Sequence, residues 1–421
     1  MTMKQKDALT ILKKGHNVFL TGEAGSGKTH VLQQFIAYLQ KKDIRYAVTA
    51  STGIAATHLG GRTIHSWSGM GIHQNLREKD ITQHILGNFL IKERLQKTRV
   101  VIIDEISMLH AYQLDLLNKI LRLAHTSWEP FGGVQIVLSG DFFQLPPIIP
   151  KDTTYKKHFA FDAQSWKEAN ITVCYLSEQF RHSDKSTQSV LNAIRTNTVT
   201  QDTIDTLNNS GTAFDSQDDV TRLFTHNADV DAMNARELAK IDGEEHVYTM
   251  TAVGNEKIAA VLRKNCLAPE CLVLKEGALV MFVRNNFEEG YVNGSCGTVV
   301  DFSDDGLPVV ETTDGDTIVV HREEWSVEES DDACAAIRQL PLRLAWAITV
   351  HKSQGMTLDA AEIDLRKCFE YGMGYVALSR VRSLDCVRLL GCNAKALHVH
   401  PTILKKDAVF RKQSAQNNTK K

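Results

Sequence analysis

The chain lacks any apolar run long enough to cross a bilayer, and its first residues, MTMKQKDALTILKKGHNVFL, lack the apolar stretch and small-residue cleavage site of a secretory signal. A protein that stays where it is made, with no membrane partner, is the expectation. None of the eight cysteines forms a CxxC pair; Cys266 with Cys271 and Cys386 with Cys392 come nearest, at spacings that do not suit a zinc knuckle. Reduced thiols follow from this, neither bridges nor metal ligands. An excess of one charge is missing too. With 48 basic and 50 acidic residues the net charge is −2, so any polyanion must be held by a local patch. No repeat with a period of about 20–50 residues is present, which excludes solenoids and propellers.

What is present is an average soluble composition, 43% hydrophobic and 23% charged, over 421 residues. That length suits about two to four domains. Apolar runs at Asn17–Thr21, Tyr46–Ala50, Val100–Ile103 and Gln135–Leu138 read as strands. They alternate with helical periods such as Thr29–Lys41, where Val31, Leu32, Phe35, Ile36 and Leu39 share one face. Strand and helix in alternation imply an α/β fold with a parallel sheet covered on both sides. The pattern breaks from Arg62 to Lys97, which reads as an insertion. A second α/β region begins near Val173, and short strand-like pieces interrupt it from Arg284 to Arg338 (VNGSCGTVVDF, LPVVETT, DTIVVHREEW). These read as a small all-β barrel. The last stretch, 401–421, is polar and basic and reads as a frayed, solvated tail.

GEAGSGKT, Gly22 to Thr29, follows a strand and opens a helix, as a phosphate loop must. Gly22, Gly25, Ser26 and Gly27 let backbone N–H groups wrap phosphates, Lys28 reaches the β- and γ-phosphates, and the Thr29 hydroxyl coordinates Mg²⁺. In VVIIDEISML, Asp104 holds Mg²⁺ and Glu105 takes a proton from the attacking water; alone, a DE pair would read as capping the next helix. Negative charge on a transferring phosphoryl group calls for arginines from elsewhere, and Arg181 in LSEQFR and Arg380 in ALSRVRS are the candidates. Either alone would more often be a surface ion-pair partner. Gln144, in LSGDFFQLPP, is placed to orient water or the γ-phosphate.

GEAGSGKT, VTASTGIAA, TIHSW, DEISML, GDFFQLPP, LSEQFR, ITVHKSQGMTL and YVALSRVRS together resemble, in order and rough spacing, superfamily 1 helicases of the Pif1 type. The likeness covers about residues 5 to 391, with FRH standing where the family often has FRQ. It implies two RecA-like P-loop domains, at 1–62 with 98–178 and at 179–283 with 339–400. It also implies a 1B insertion at 63–97 and an SH3-like all-β 2B insertion at 284–338. The cofactors implied are ATP and Mg²⁺, with Gln5 reading adenine and His30 and Gly355 added to the nucleotide contacts. The activity implied is 5′ to 3′ movement on single-stranded DNA by a monomer, opening forks and G-quadruplexes, alongside replication, recombination or repair proteins and in telomere maintenance. Its setting would be the cytoplasm, at the nucleoid in a bacterial or phage host.

Ser51, Thr52, His65, Trp67, Phe143, Pro146, His351 and Ser353 would face the DNA strand. Hydroxyls and imidazoles hold phosphates, and rings and prolines pack on bases without choosing among them. Core packing is the competing reading for Trp67, Phe142 and Phe143. Two rival functions share motifs with the helicase: an ATP-gated DNA clamp that does not unwind, which shares every one, and a nucleotide kinase, which would not need HKSQG or TIHSW.

Overall fold

VFLTG, YAVTA, VVIID, QIVLS and TVCYL are too apolar to leave a sheet face in water, and each becomes a parallel strand. They are β1 (Val18–Gly22), β2 (Tyr46–Ala50), β4 (Val100–Asp104), β5 (Gln135–Ser139) and β6 (Thr172–Leu176), with the short β3 (Arg62–Thr63) completing the sheet. The order is β3-β2-β4-β5-β1-β6. The structure is a computed structural model that describes residues 3–419 apart from 53–54, 57–58, 60, 72–75, 149–157, 180–183, 212–219, 287, 292, 314 and 329–333.

Two compact units emerge. The first comprises 1–199, 370–375 and 397–421, and the second 200–369 and 376–396. In the first, the helix Lys28–Lys41 buries Val31, Leu32, Phe35 and Leu39 against Leu20, Ile102 and Val137 of the sheet, with Ile36 partly covered. The helix Lys185–Thr196 buries Val190, Leu191, Ile194 and Arg195. It lies with the first unit and not, as its place in the sequence suggested, with the second.

The largest departure from expectation is at the C-terminus. Residues Pro401–Thr419 form a helix packed on β6 and are no frayed tail. β6 is an edge strand, and an edge leaves backbone groups in need of partners. Ser414 Oγ accepts the Tyr175 N–H at 2.9 Å and Asn417 Nδ2 donates to the Val173 carbonyl at 3.3 Å. Phe410 completes an aromatic cluster with Phe19, Phe142, Phe161 and Trp166, whose ring centroids lie 4.8–6.2 Å apart.

The second unit carries a four-stranded parallel sheet ordered Ala347–Thr349, Arg222–Phe224, Ala361–Leu365, Val387–Cys392. It also holds an antiparallel five-stranded sheet, Thr317–Val319, Pro308–Thr312, Cys296–Phe302, Leu279–Phe282 and Leu342–Leu344. A three-stranded sheet joins Glu323–Glu328 and Cys334–Gln339 to Thr251–Gly254. The all-β region is therefore wider than 284–338, because it recruits strands on both sides of that block. The seven cysteines whose side chains are described are free, and no described helix is long and apolar enough to cross a membrane.

Candidate nucleotide site and DNA-facing residues

Parallel strands bring their C-terminal ends to one edge of the sheet, where ligands of open α/β folds bind. Gly22, Asp104 and Ser139 end β1, β4 and β5 there, with Leu20 in register with Ser139 and Ile103 with Leu138. The loop after β1 turns on Gly25 at φ +83° and Gly27 at φ +81°, left-handed values that only glycine adopts cheaply. A Cβ on Gly22 would come 2.6 Å from the Leu176 carbonyl oxygen, so β6 itself demands glycine.

Lys28 Nζ donates to the carbonyls of Gly22 at 2.9 Å and Glu23 at 3.0 Å. Burial draws the Lys28 pKa below that of a free lysine, while the carboxylates of Asp141, Glu105 and Asp104 oppose that shift. Asp104 Oδ1 accepts the Glu105 N–H at 3.0 Å, and Ser51 Oγ donates to the Glu105 carbonyl at 2.8 Å. Glu105 is held at φ +50°, a strained value for a non-glycine residue of the kind that gathers at functional sites. Gln5 Nε2 donates to the Ser26 carbonyl at 3.3 Å, which brings the first helix, Gln5–Lys13, to the loop. Thr29 and His30 are exposed, and His30 Nε2 pairs with Gln34 Nε2 at 2.9 Å.

These residues suit a nucleotide phosphate. Ser26 Oγ is buried in the loop without a protein partner, and the Lys28 ammonium rests on carbonyls that a phosphate would replace. They also suit Mg²⁺, which takes most of its octahedral shell from water and phosphate. Thr29 and Asp104 supply hard oxygens, and no group of three or more His, Cys, Asp or Glu side chains among the described residues forms a closed metal cage.

The other expected site residues vary in exposure. Arg181 lies outside the described residues. Arg380 is 1% exposed and spends its guanidinium inside the second unit, on the carbonyls of Val376, Ser353 and Met356 and on Ser379 Oγ. Gly355 belongs to the same unit, at φ +85°. Of the DNA-facing set, Phe143 and Trp67 are 3% and 4% exposed and Ser353 is fully buried, donating to the Val350 carbonyl. Phe143 is covered because the Arg195 guanidinium lies 4.0 Å from its ring centre, and Phe142 belongs to the aromatic core. Ser51, Thr52, His65, Pro146 and His351 stay partly exposed. The His65 ring bonds Gln113 Nε2 at 2.7 Å, and the His351 ring stacks on half-exposed Phe369 at 6.0 Å. Gln144 is buried, and its carbonyl would lie 2.5 Å from a Cβ on Gly372.

The sequence reading passed over a buried constellation. Arg195 donates to Asp141 Oδ2 at 2.6 Å, Tyr375 Oη at 3.0 Å and Tyr175 Oη at 2.8 Å. Tyr375 Oη accepts the Ala24 N–H at 3.1 Å and donates to Asp141 Oδ2 at 3.2 Å. One signal was available: Arg195 shares the buried face of its helix with Leu191 and Ile194, where an arginine survives only if paired.

Comparison with known proteins agrees with this geometry. The profile described as PIF1-like helicase matches residues 2–209, and that of the DNA helicase Pif1 2B domain matches 258–302. The chain is 43% identical to the ATP-dependent DNA helicase Pif1 of Psychrobacter sp. (strain PRwf-1), over 98% of this chain and 72% of that protein. It spans 66% of the length of the Xenopus laevis ATP-dependent DNA helicase PIF1, at 35% identity. Its fold is similar to the Pif1 helicase from Candida albicans, at TM-score 0.84 and 34% identity over 96% of this chain and 98% of that one. It is also similar to a Pif1 helicase from Bacteroides in complex with ADP-AlF3 and single-stranded DNA, at TM-score 0.72 and 31% identity over 97% and 96%.

Proposed function

Because the chain belongs to the PIF1-like helicase family, we propose that it is an ATP-dependent DNA helicase that moves 5′ to 3′ on a single strand and opens forked duplex and G-quadruplex DNA. One observation carries the reading: Lys28, Asp104 and Glu105 stand at the same edge of one parallel sheet, around a loop shaped for phosphate. ATP binds with its phosphates along Gly22–Thr29, and Lys28 leaves the carbonyls of Gly22 and Glu23 for the terminal phosphate. Thr29 and Asp104 would hold Mg²⁺, which would supply neutralising charge to the phosphates. Glu105, fixed by Ser51 and Asp104, takes the proton of the attacking water. His351 and His65 contribute imidazoles to the DNA strand, and Phe369, stacked on His351, offers a ring on which a base can rest.

The test compares a 5′-tailed with a 3′-tailed fork in the wild type, Lys28→Ala and Glu105→Gln proteins. The wild type should separate only the 5′-tailed fork. Both variants should lose unwinding by about a thousandfold, the scale of one missing group that stabilises charge in the transition state. Unwinding at the wild-type rate in either variant refutes the reading. DNA-stimulated ATP turnover with no strand separation would instead identify an ATP-gated clamp.

A further inference from the structure

Arg195 and Asp141 form an ion pair at 2.6 Å with side chains 2% and 1% exposed. Such a pair is a poor way to gain stability, because desolvation offsets its attraction and a well-packed apolar pair serves as well or better. Its partners show a use for it. The Tyr375 hydroxyl sits at a junction, bonded at once to Arg195, to Asp141 and to the backbone N–H of Ala24. Ala24 is the third residue of GEAGSGKT, and its N–H, engaged by Tyr375, is turned to the protein, while the loop beyond it supplies the groups that wrap phosphate. The other oxygen of the Asp141 carboxylate is fixed by the Phe143 N–H at 3.2 Å.

The C-terminal helix closes the far side. Asp407 lies 3.8 Å from Arg195 Nη2, and Arg411, paired with Asp407 at 2.7 Å, reaches Glu23 of the loop at 3.7 Å. We propose that Arg195, Asp141 and Tyr375 are positioning residues for nucleotide turnover, fixing the start of the phosphate loop through Ala24. The proposal rests on the reading of that loop as the ATP site. None of the three residues need touch the nucleotide; they act through Ala24.

The test uses the full chain and titration with a fluorescent ADP at fixed Mg²⁺, beside steady-state ATP turnover on single-stranded DNA. Tyr375→Phe keeps the ring and removes the hydroxyl, and with it the acceptor for Ala24 and the bonds to Arg195 and Asp141. It should weaken ADP binding and raise KM about fivefold, the worth of one hydrogen bond, with single-strand affinity in the absence of nucleotide unchanged. Tyr175→Phe removes a bond to Arg195 that involves neither Ala24 nor Asp141. It should lower the melting temperature and leave ADP affinity within about twofold of wild type.

Arg195→Lys retains the charge beside Asp141 but not the fork that bonds Asp141 and both tyrosines. It should fold, with an intermediate KM. Equal effects of Tyr375→Phe and Tyr175→Phe on melting, with nucleotide affinity untouched in both, would reduce the cluster to packing and overturn the proposal. A wild-type protein that binds no nucleotide would overturn the ATP reading and this proposal together, so the two failures are told apart by the wild-type titration.

Discussion

At the scale of the residue, the two arginines that phosphoryl transfer calls for carry different predictions. Arg380 donates four hydrogen bonds within its own unit, three of them to the backbone carbonyls of Val376, Ser353 and Met356. Arg380→Ala should therefore lower stability by about 2–4 kcal/mol, with the melting temperature falling alongside ATP turnover. Arg181→Ala should cut turnover about a thousandfold with ATP still bound and melting unchanged, as expected of a group that meets only the transition state. Differential scanning calorimetry and a turnover assay on both variants check this. Unchanged melting in Arg380→Ala would show that its buried bonds carry little. The inward placement of Arg380 could not be read from sequence. Both arginines follow apolar runs, and a motif specifies residue type and spacing but not whether the guanidinium is turned toward a ligand or into its own turn. Lys28, Asp104 and Glu105 were legible for the opposite reason, since a strand end feeding a glycine loop or an acidic pair leaves the chain few alternatives.

Elements were legible where burial alone decides them. The runs Tyr46–Ala50 and Val100–Ile103 and the apolar stripe from Val31 to Leu39 appear where the sequence places them, because a strand or helix facing a core must be apolar at a fixed period. Pro401–Thr419 failed that test because its helix serves the edge of β6 through Ser414, Asn417 and Phe410, and satisfying an edge leaves little mark on composition. Phe410→Ala should cost about 3–5 kcal/mol, measured by urea unfolding; a loss below 1 kcal/mol would mean that the helix is only loosely attached.

A second prediction at this scale concerns the imidazoles around the TIHSW helix, Ile64–Ser68. Burial holds the pKa values of His65, His110 and His125 below the ordinary 6.5, and repulsion from His110 adds to it at His65. A base with a depressed native pKa binds fewer protons folded than unfolded. Stability is complete above about pH 6.5 and declines as pH falls through the unfolded value. The urea midpoint should be lower at about pH 5.5 than at about pH 7.5, and His110→Gln should shrink that difference. Equal midpoints in the wild type would contradict the sign.

For the molecule as a whole, the open question is what the all-β region of the second unit selects. Its strands Leu279–Phe282 and Leu342–Leu344 pair directly, Val280 with Leu344 and Phe282 with Leu342, and the Val283 N–H donates to the Pro341 carbonyl at 2.8 Å. The chain thus enters and leaves residues 284–338 through two neighbouring strands, and a short Asn-Gly turn can close the gap when the block is removed. The cost is local. Thr251–Gly254 loses its partner strand Cys334–Gln339, so that edge needs a charged substitution, Val253→Lys, on its 72% exposed valine to stay soluble. The six-stranded sheet with the phosphate loop lies in the other unit and keeps every bond. ATP turnover on single-stranded DNA should therefore persist, and it serves as the control for folding. If the block selects the DNA structure to be opened, G-quadruplex unfolding should fall at least about tenfold further than fork unwinding, a difference of roughly 1.4 kcal/mol in favour of one substrate. Equal loss on both substrates with turnover intact would assign the block to general strand separation and remove it from substrate choice.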